Sequence, residues 1–530
     1  RRSDQNKSLF FCLLLTNIAK QLRCDLFKSD FPDSGICFGS KSGAANRQNM
    51  TSLVGSLSRS VLRKPFLVPV QWRCLSAVAA TESAGETPAE HCDIVIAGGG
   101  MVGTTLACAL GKNPRLSDRR ILLLEAAPGF KQPSTATYSN RVSAISKGTH
   151  RLMKAIGAWP QIEATRVKPV LKMQVWDACS DAQITFNYDD LAENISWIVE
   201  NDVLLASVYR QLETVKSVEI RYGARMESCS LMRDGADAST VQLSNGGRIK
   251  CELLIGADGY NSLVRRTMGV DNFTLAYDQM GVVATLKLGT AGGNNVTAWQ
   301  RFLPTGPIAL LPLADDMSSL VWSTTVSEAK RLLQLDDGEF AAAVNEAFTK
   351  SYPRNGVVDD VMKNVNSLIS SATGQRLEPA PKVEGIVEKS RAAFPLGLGH
   401  TSTYVGQGVC LIGDAAHRVH PLAGQGVNLG FGDVQCLADI LAEANYSGLG
   451  LNNLSQLVKY EQERLKHNVP VLLTTHGLQR LYTTDFPPIV GLRSIGLTVT
   501  NALPPVKVCR VCGCGEVIYA SPRILVFAEC

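Results

Sequence analysis

Residues 92–125 constrain the fold of this chain more tightly than any other stretch. Cys92–Ala97 is a short apolar run, followed at once by Gly98-Gly99-Gly100-Met101-Val102-Gly103. An Ala/Leu-rich stretch from Val102 to Leu110 suits a helix, and a second apolar run, Ile121–Leu124, ends in Glu125. Strand, glycine turn, helix and strand within ~30 residues describe a parallel βαβ unit of the dinucleotide-binding kind. Gly98, Gly100 and Gly103 supply a tight turn, close backbone approach to a pyrophosphate, and close helix–strand packing. The helix N-terminus then offers free N–H groups to the phosphates. Glu125, at the end of the second strand, is placed to accept from a ribose hydroxyl pair. Glycine turns also recur without ligands, and this pattern leaves NAD and FAD both open.

Two later segments leave an apolar strand in a similar way. Leu254-Ile255-Gly256-Ala257-Asp258-Gly259, followed by Ser262 and Arg265, puts a carboxylate and flexible backbone at a strand's C-terminal edge, where α/β sheets bind ligands. A plain strand exit with a helix-capping Asp would read the same way. Val409-Cys410-Leu411-Ile412-Gly413-Asp414-Ala415-Ala416-His417 continues to Pro421 and Gly424-Gln425-Gly426-Val427-Asn428. Asp414 ends a buried strand and suits a polyol chain. A glycine-rich helix start from Gly424 to Asn428 suits close approach of a flat ring, and its N-terminus favours negative charge on a reduced flavin.

In this order and spacing the three segments resemble the FAD-binding motifs of the para-hydroxybenzoate hydroxylase-like flavin monooxygenases, over about residues 92–507. Three further stretches, Ser139–Ile145, Arg301–Pro307 and Phe394–Leu396, are similar to those of the ubiquinone-biosynthesis hydroxylases within that family. The resemblance implies FAD as the cofactor, held by Gly98, Gly100, Gly103, Glu125 and Arg141, by Asp258 and Gly259, and by Asp414, Pro421, Gly424, Gly426 and Asn428. Arg141 would contact the flavin or its phosphates, where a fixed charge suits an anion. Pro304, Pro307, Phe394, Pro395 and Leu396 would line the ring pocket. The flavin carries the chemistry, so no side chain is singled out as the catalyst. His417 and His420 are spaced like a metal pair, but the family motif explains both without metal, and no metal site is expected.

The implied reaction is hydroxylation of a polyprenylated phenol in ubiquinone biosynthesis, with molecular oxygen and a flavin hydroperoxide. Electrons would come from ferredoxin and its reductase or from NAD(P)H. Implied surroundings are a ubiquinone-biosynthesis protein complex and a membrane surface, at the matrix face of the mitochondrial inner membrane. Related readings are a squalene-, kynurenine- or salicylate-type enzyme of the same fold. A non-catalytic FAD-fold escort protein that holds prenyl chains is a reading from another class.

The expected fold class is α/β. It joins a Rossmann-like FAD-binding subdomain to an antiparallel-sheet substrate subdomain and C-terminal helices. Strand-like runs alternating with turns at 171–189 and 280–325 carry the second of these, with Gly281–Leu288 and Ser319–Thr325 as examples. The expected division is a transit peptide and leader over 1–90; an FAD-binding part from 91–170, 200–270 and 400–445; a substrate part from 171–199 and 271–399; helices over 446–507; and an atypical tail, 508–530.

Charge separates the leader from the rest. Of 53 basic and 48 acidic residues, twelve and four fall within residues 1–80, which leaves 41 against 44 for the remainder. The basic balance therefore argues nothing for nucleic acid. Met50 to Thr81 lacks acids and interleaves Arg59, Arg63, Lys64 and Arg73 with Ser, Leu and Val, as mitochondrial transit peptides do. Fifteen scattered cysteines, including Cys108, Cys410 and Cys436 in apolar runs, read as reduced structural thiols. Cys509, Cys512 and Cys514 lack a clear fourth ligand for zinc.

Overall fold

The computed structural model describes residues 89–502, apart from 131, 135–136, 181, 188–193, 233–236, 290–292, 353–355, 357–377 and 422–423. The leader, the cysteine-rich tail and the readings made on them lie outside the described residues.

The apolar runs of the three glycine-and-acid segments become neighbouring strands. Glu90–Ala97 pairs in parallel with Ile121–Leu124 on one side and with Arg248–Gly256 on the other. Val409–Leu411 extends the order beyond Arg248–Gly256, and Val218–Arg221 extends it beyond Ile121–Leu124, again in parallel. Both faces of these strands are covered, which is why they read as continuous Ile, Leu and Val rather than as an alternation. Ile94, Val95, Ile96, Leu122, Leu123, Leu254 and Ile255 are fully buried. The helix after the glycine turn runs from Met101 to Lys112 and packs on this core through Leu106 and Leu110. Two antiparallel strands, Met226–Ser230 and Ser239–Leu243, complete one end of the sheet beside Arg248–Gly256.

The middle of the chain forms a nine-stranded sheet in the order His417–Arg418, Ala392–Thr401, Asn272–Leu288, Met317–Thr325, Gly306–Ala314, Thr297–Leu303, Lys172–Asp177, Gln183–Asn187, with Val383–Ile386 also on Asn272–Leu288. It is antiparallel except where Thr297–Leu303 runs parallel to Lys172–Asp177, a departure from the all-antiparallel expectation. The parallel pair arises because the chain returns to this edge only after a long excursion through the other sheets.

The two faces of this sheet differ. On one, Val282, Ala284, Trp322, Leu320, Ile308, Leu310 and Trp299 pack against the helices Val326–Gln334 and Asp337–Thr349. Asp336 and Glu339 close a capping box at the start of the second helix. On the other, alternate residues Gly281, Val283, Thr285, Val321 and Ser323 are small. This face lies under the helices Leu454–Tyr482 and Pro487–Ala502, where Phe302 stacks on Tyr482 at 3.8 Å. A three-stranded sheet, Val142–Ile145, Ser196–Glu200 and Lys168–Val170, contributes Val170, Ile198, Val142 and Ala144 to the same cover. Nothing in the sequence pattern had separated this small sheet from its neighbours.

Candidate functional site

The three segments leave the parallel sheet at one level. In register, Leu411 lies beside Gly256, Gly256 beside Ala97, and Ala97 beside Leu124. Each residue is the last of its strand, so the glycine turn, the Asp258 turn, the Asp414 turn and Glu125 all open at one C-terminal edge. Backbone bonds cross that edge as well, from Gly98 N–H to Leu124 O, Ala257 N–H to Ala97 O, and Ile412 N–H to Gly256 O.

Gly98 has φ +111°, a value side chains rarely adopt. A Cβ on Gly103 would run into the carbonyl oxygen of Gly98, so the turn closes only without one. Gly100 is different: it is exposed, and a Cβ there would meet nothing within 4 Å. Protein packing gives no reason for glycine at that position, whereas a pyrophosphate lying over the turn does. Glu125 accepts from Gly99 N–H at 2.9 Å and from Ala127 N–H at 2.7 Å, which fixes the acid against the turn.

Asp258 and Asp414 are set up differently. One Asp258 oxygen accepts from Leu263 and Val264 N–H at the start of the helix Leu263–Met268, while Oδ1 is buried with no partner. Gly259, with φ +77°, turns the chain beyond it. Asp414 is solvent-accessible, yet the protein crowds it enough that burial raises its carboxyl pKa against the pull of His417 and Arg418. A side chain both wettable and crowded by protein lines a cleft. An orphaned carboxylate oxygen, a turn with room over Gly100 and an acid in a cleft, on one edge, fit a dinucleotide with polyol hydroxyls.

The helix of the third segment starts at Gly426, two residues later than the run begun by Gly424 suggests, and ends at Tyr446. Gly424 donates to Pro421 O at 3.1 Å and lies beside Ala144. The Asn428 side chain is committed to protein: it donates to Ala144 O at 2.8 Å and accepts from Ser146 N–H and Thr149 Oγ1. It ties the helix to the Ser139–Ile145 stretch, leaving backbone N–H groups of the first turn for a ligand. Arg141 is exposed, and its guanidinium makes no ion pair or hydrogen bond with a described residue, so it is not spent on a surface pair.

Of the residues expected to line the pocket, Phe394 and Leu396 lie over Gly281, whose Cβ would stand 3.1 and 3.2 Å from them. They join a cluster with Leu429 and Leu472. Pro395 is exposed, and its carbonyl accepts from Arg418 at 2.9 Å. Pro304 sits in the hairpin turn between Leu303 and Gly306, with Pro307 second in the return strand. Phe394 pairs with Gly281, and Gly281 with Ser323. Pro307 falls on the same row, one step past the Ile308–Trp322 pair. The two groups therefore share a row but stand three strand spacings apart, roughly 14 Å. Arg301, by contrast, is buried and donates to Ala347 O and Lys350 O at the end of Asp337–Thr349, where a cation suits the helix terminus.

Asp433 was not singled out by sequence reasoning, and it anchors the third segment. Fully buried on the helix Gly426–Tyr446, it accepts from Gly413 N–H at 2.9 Å, His417 Nε2 at 2.6 Å, Arg464 Nε at 2.7 Å and Asn468 Nδ2 at 3.2 Å. Burial pushes its carboxyl up, but His417, Arg464 and these bonds outweigh burial and hold it well below the usual carboxylate range. The available signal was its isolation: between Arg418 and Asp439 it is the one charged residue. His417 is thereby explained as a hydrogen-bond partner of Asp433. Among the described residues no group of three or more His, Cys, Asp or Glu could hold a metal. The seven described cysteines are free, and burial pushes Cys92 and Cys108 up to about 11 and Cys251 to about 12, which makes them unreactive thiols.

A dinucleotide edge joined to a second sheet, with His417–Arg418 of the third segment pairing onto Ala392–Thr401, is the arrangement of FAD-dependent monooxygenases, and the chain is one of them. It matches the FAD binding domain family over residues 91–360 and 375–473. It is 52% identical over 429 residues to the mitochondrial ubiquinone biosynthesis monooxygenase of Drosophila melanogaster, covering 80% of this chain and 90% of that protein. To the human protein of the same description it is 46% identical over 428 residues, covering 78% and 90%. The chain belongs to the family of mitochondrial ubiquinone biosynthesis monooxygenases. Among solved structures, a probable FAD-dependent monooxygenase from Pseudomonas aeruginosa aligns with a TM-score of 0.59 at 23% identity, over 78% of this chain and all of that one. The p-nitrophenol 4-monooxygenase of Pseudomonas putida gives 0.57 at 17%, over 79% and 96%. At such identities these two speak for the fold alone.

Proposed function

We propose that this monooxygenase hydroxylates the aromatic ring of a polyprenylated phenol in ubiquinone biosynthesis, taking one oxygen atom from molecular oxygen and electrons from a ferredoxin system or NAD(P)H. The observation that carries this reading is the convergence of three segments at the Leu411–Gly256–Ala97–Leu124 level, the third of them running on into the nine-stranded sheet through His417–Arg418. Bound FAD supplies the redox chemistry that activates oxygen.

The chain's own residues bind, orient and keep water out. The turn from Gly98 to Gly103 and the helix behind it would hold the pyrophosphate, with Glu125 on a ribose and Arg141 on the anion. Asp258, Gly259 and Asp414 would hold the polyol, and the start of Gly426–Tyr446, with Pro421, Gly424 and Asn428, the polar edge of the ring. Phe394, Pro395, Leu396, Pro304 and Pro307 would border the substrate pocket, and its apolar lining would exclude water from a reactive centre.

Family membership places the protein in mitochondria. Within them we assign it to the matrix face of the inner membrane, as a peripheral member of a ubiquinone-biosynthesis assembly, because an isoprenoid phenol partitions into the bilayer. Among the described residues no helix is long and apolar enough to cross a membrane.

The test is a single turnover. The purified protein shows a visible flavin spectrum, is reduced without air, and is then mixed with 2-geranylphenol and isotopically heavy molecular oxygen. The expected product is the ring-hydroxylated phenol with one heavy oxygen atom. A protein without flavin absorption, or a flavoprotein giving only peroxide, overturns the proposal.

A further inference from the structure

Five buried polar atoms without a hydrogen-bond partner are spread along the inner face of the nine-stranded sheet. Thr285 Oγ1, Ser319 Oγ and Gln300 Nε2 belong to the sheet; Gln479 Oε1 and Tyr482 Oη belong to the helix Leu454–Tyr482 that covers it. Register puts the three sheet residues on one face. Thr285 stands opposite Ser319, and Val283 opposite Val321. Val321 pairs with Ala309, and Ala309 with Gln300. The helix residues reach the same face, since Gln479 donates to Gln279 and Tyr482 stacks on Phe302, two residues from Gln300.

This face looks toward the third segment from both sides of Gln300. Toward one end Gly281 meets Phe394 and Leu396, which cluster with Leu429 of Gly426–Tyr446. Toward the other, Ala298 and Leu311 cluster with Val142 and Ala144, the strand that Asn428 holds. Between them stand Val283, Val321 and Ala309.

A buried polar atom left unpaired costs free energy, and it calls for a partner that supplies the bond. Gln300 stands apart from the other four residues: it is only half-buried, and its carboxamide bonds to no described residue. A carboxamide both donates and accepts, which matches a hydroxyl on both counts.

We infer that Gln300 hydrogen-bonds the phenolic oxygen of the substrate ring and selects phenols over the same hydrocarbon lacking the hydroxyl. The inference rests on the phenol-hydroxylase reading above.

The test titrates the FAD-loaded full chain with 2-geranylphenol and with geranylbenzene, following the visible flavin spectrum. The proteins are wild type and Gln300→Met, a substitution that keeps length without the amide. Wild type is expected to favour the phenol by about tenfold or more, the value of one good hydrogen bond. Gln300→Met removes that preference by weakening the phenol alone, with geranylbenzene affinity held within about twofold and flavin content unchanged. A variant that keeps the preference, or weakens both compounds alike, overturns the assignment. Equal binding of the two compounds by wild type overturns it while the phenol reading stands. Binding of neither by wild type overturns both.

Discussion

At the C-terminal edge of the parallel sheet, the groups placed to meet a ligand are backbone N–H groups, glycines and short acids, gathered in three contiguous runs of chain. At the inner face of the nine-stranded sheet they are side chains taken singly from alternate positions of neighbouring strands, with Gln300 three strands away from Val283 along one row of pairs through Ala309 and Val321. The edge is rigid and general: any dinucleotide with a pyrophosphate meets the same N–H groups. The face is particular, because each lining side chain can change without disturbing the ladder beneath it. Cofactor binding therefore sits on conformation and substrate choice on side-chain identity.

The largest expected effect on the edge is that of Asp433→Asn. It leaves Arg464 buried without its counter-charge and His417 without its carboxylate partner. Breaking such a pair from one side costs about 3–5 kcal/mol. Thermal unfolding should show that loss, and FAD content should fall with it as Gly413 loses its anchor.

Acid acts through three buried histidines, His400 on the strand Ala392–Thr401, His420 in the loop after Arg418 and His467 on the helix Leu454–Tyr482. Burial lowers His400, His420 and His467 to about 4, against an unfolded value near 6.5. Between these values the unfolded chain binds protons that the folded chain does not, so stability is complete above about pH 6.5 and falls as pH drops toward 4. Three such groups give a slope of up to about 4 kcal/mol per pH unit. Asp433 adds nothing to this window, because its depressed pKa keeps it ionised in the fold until lower pH. Urea titrations at a series of pH values measure the slope, and a flat profile from 6.5 to 4.5 contradicts the buried neutral state of these rings.

Gly281→Ala separates the two regions from the other side. The added carbon stands 3.1–3.2 Å from Phe394 and Leu396, so those side chains must shift. The expected result is weaker binding of 2-geranylphenol by about threefold to tenfold, with FAD affinity unchanged. Arg141→Ala should do the reverse and more gently: FAD affinity falls by up to about tenfold while stability stays within about 0.5 kcal/mol, since the side chain contacts no described partner.

The same contrast explains what could be read from the chain. The strands ending at Ala97, Leu124, Gly256 and Leu411 announce themselves as buried apolar runs, and their glycines and acids follow at once, so edge and cofactor are legible. Register is not. Nothing in the run Gly281-Val282-Val283-Ala284-Thr285 tells which strand its alternate residues will meet, so Gln300, Thr285 and Ser319 do not stand out until the strands are paired. Pro304–Pro307 and Phe394–Leu396 stand out only by resemblance, and the pairing puts Pro307 and Phe394 on one row, three strand spacings apart. Asn428 and Arg301 show the opposite limit. Both lie in recognisable motifs, yet their side chains are spent on holding the fold.

Gly100→Ala tests the central claim most directly, that the edge is shaped by a ligand rather than by its own packing. A Cβ at Gly100 meets nothing within 4 Å, and its extended backbone accepts alanine. The FAD-free protein should therefore keep its melting behaviour to within about 1 kcal/mol, the cost of a poorer helix cap. FAD affinity, measured by flavin fluorescence quenching, should fall by about tenfold or more as the methyl group intrudes on the pyrophosphate. An unchanged FAD affinity in a stably folded Gly100→Ala protein contradicts the account.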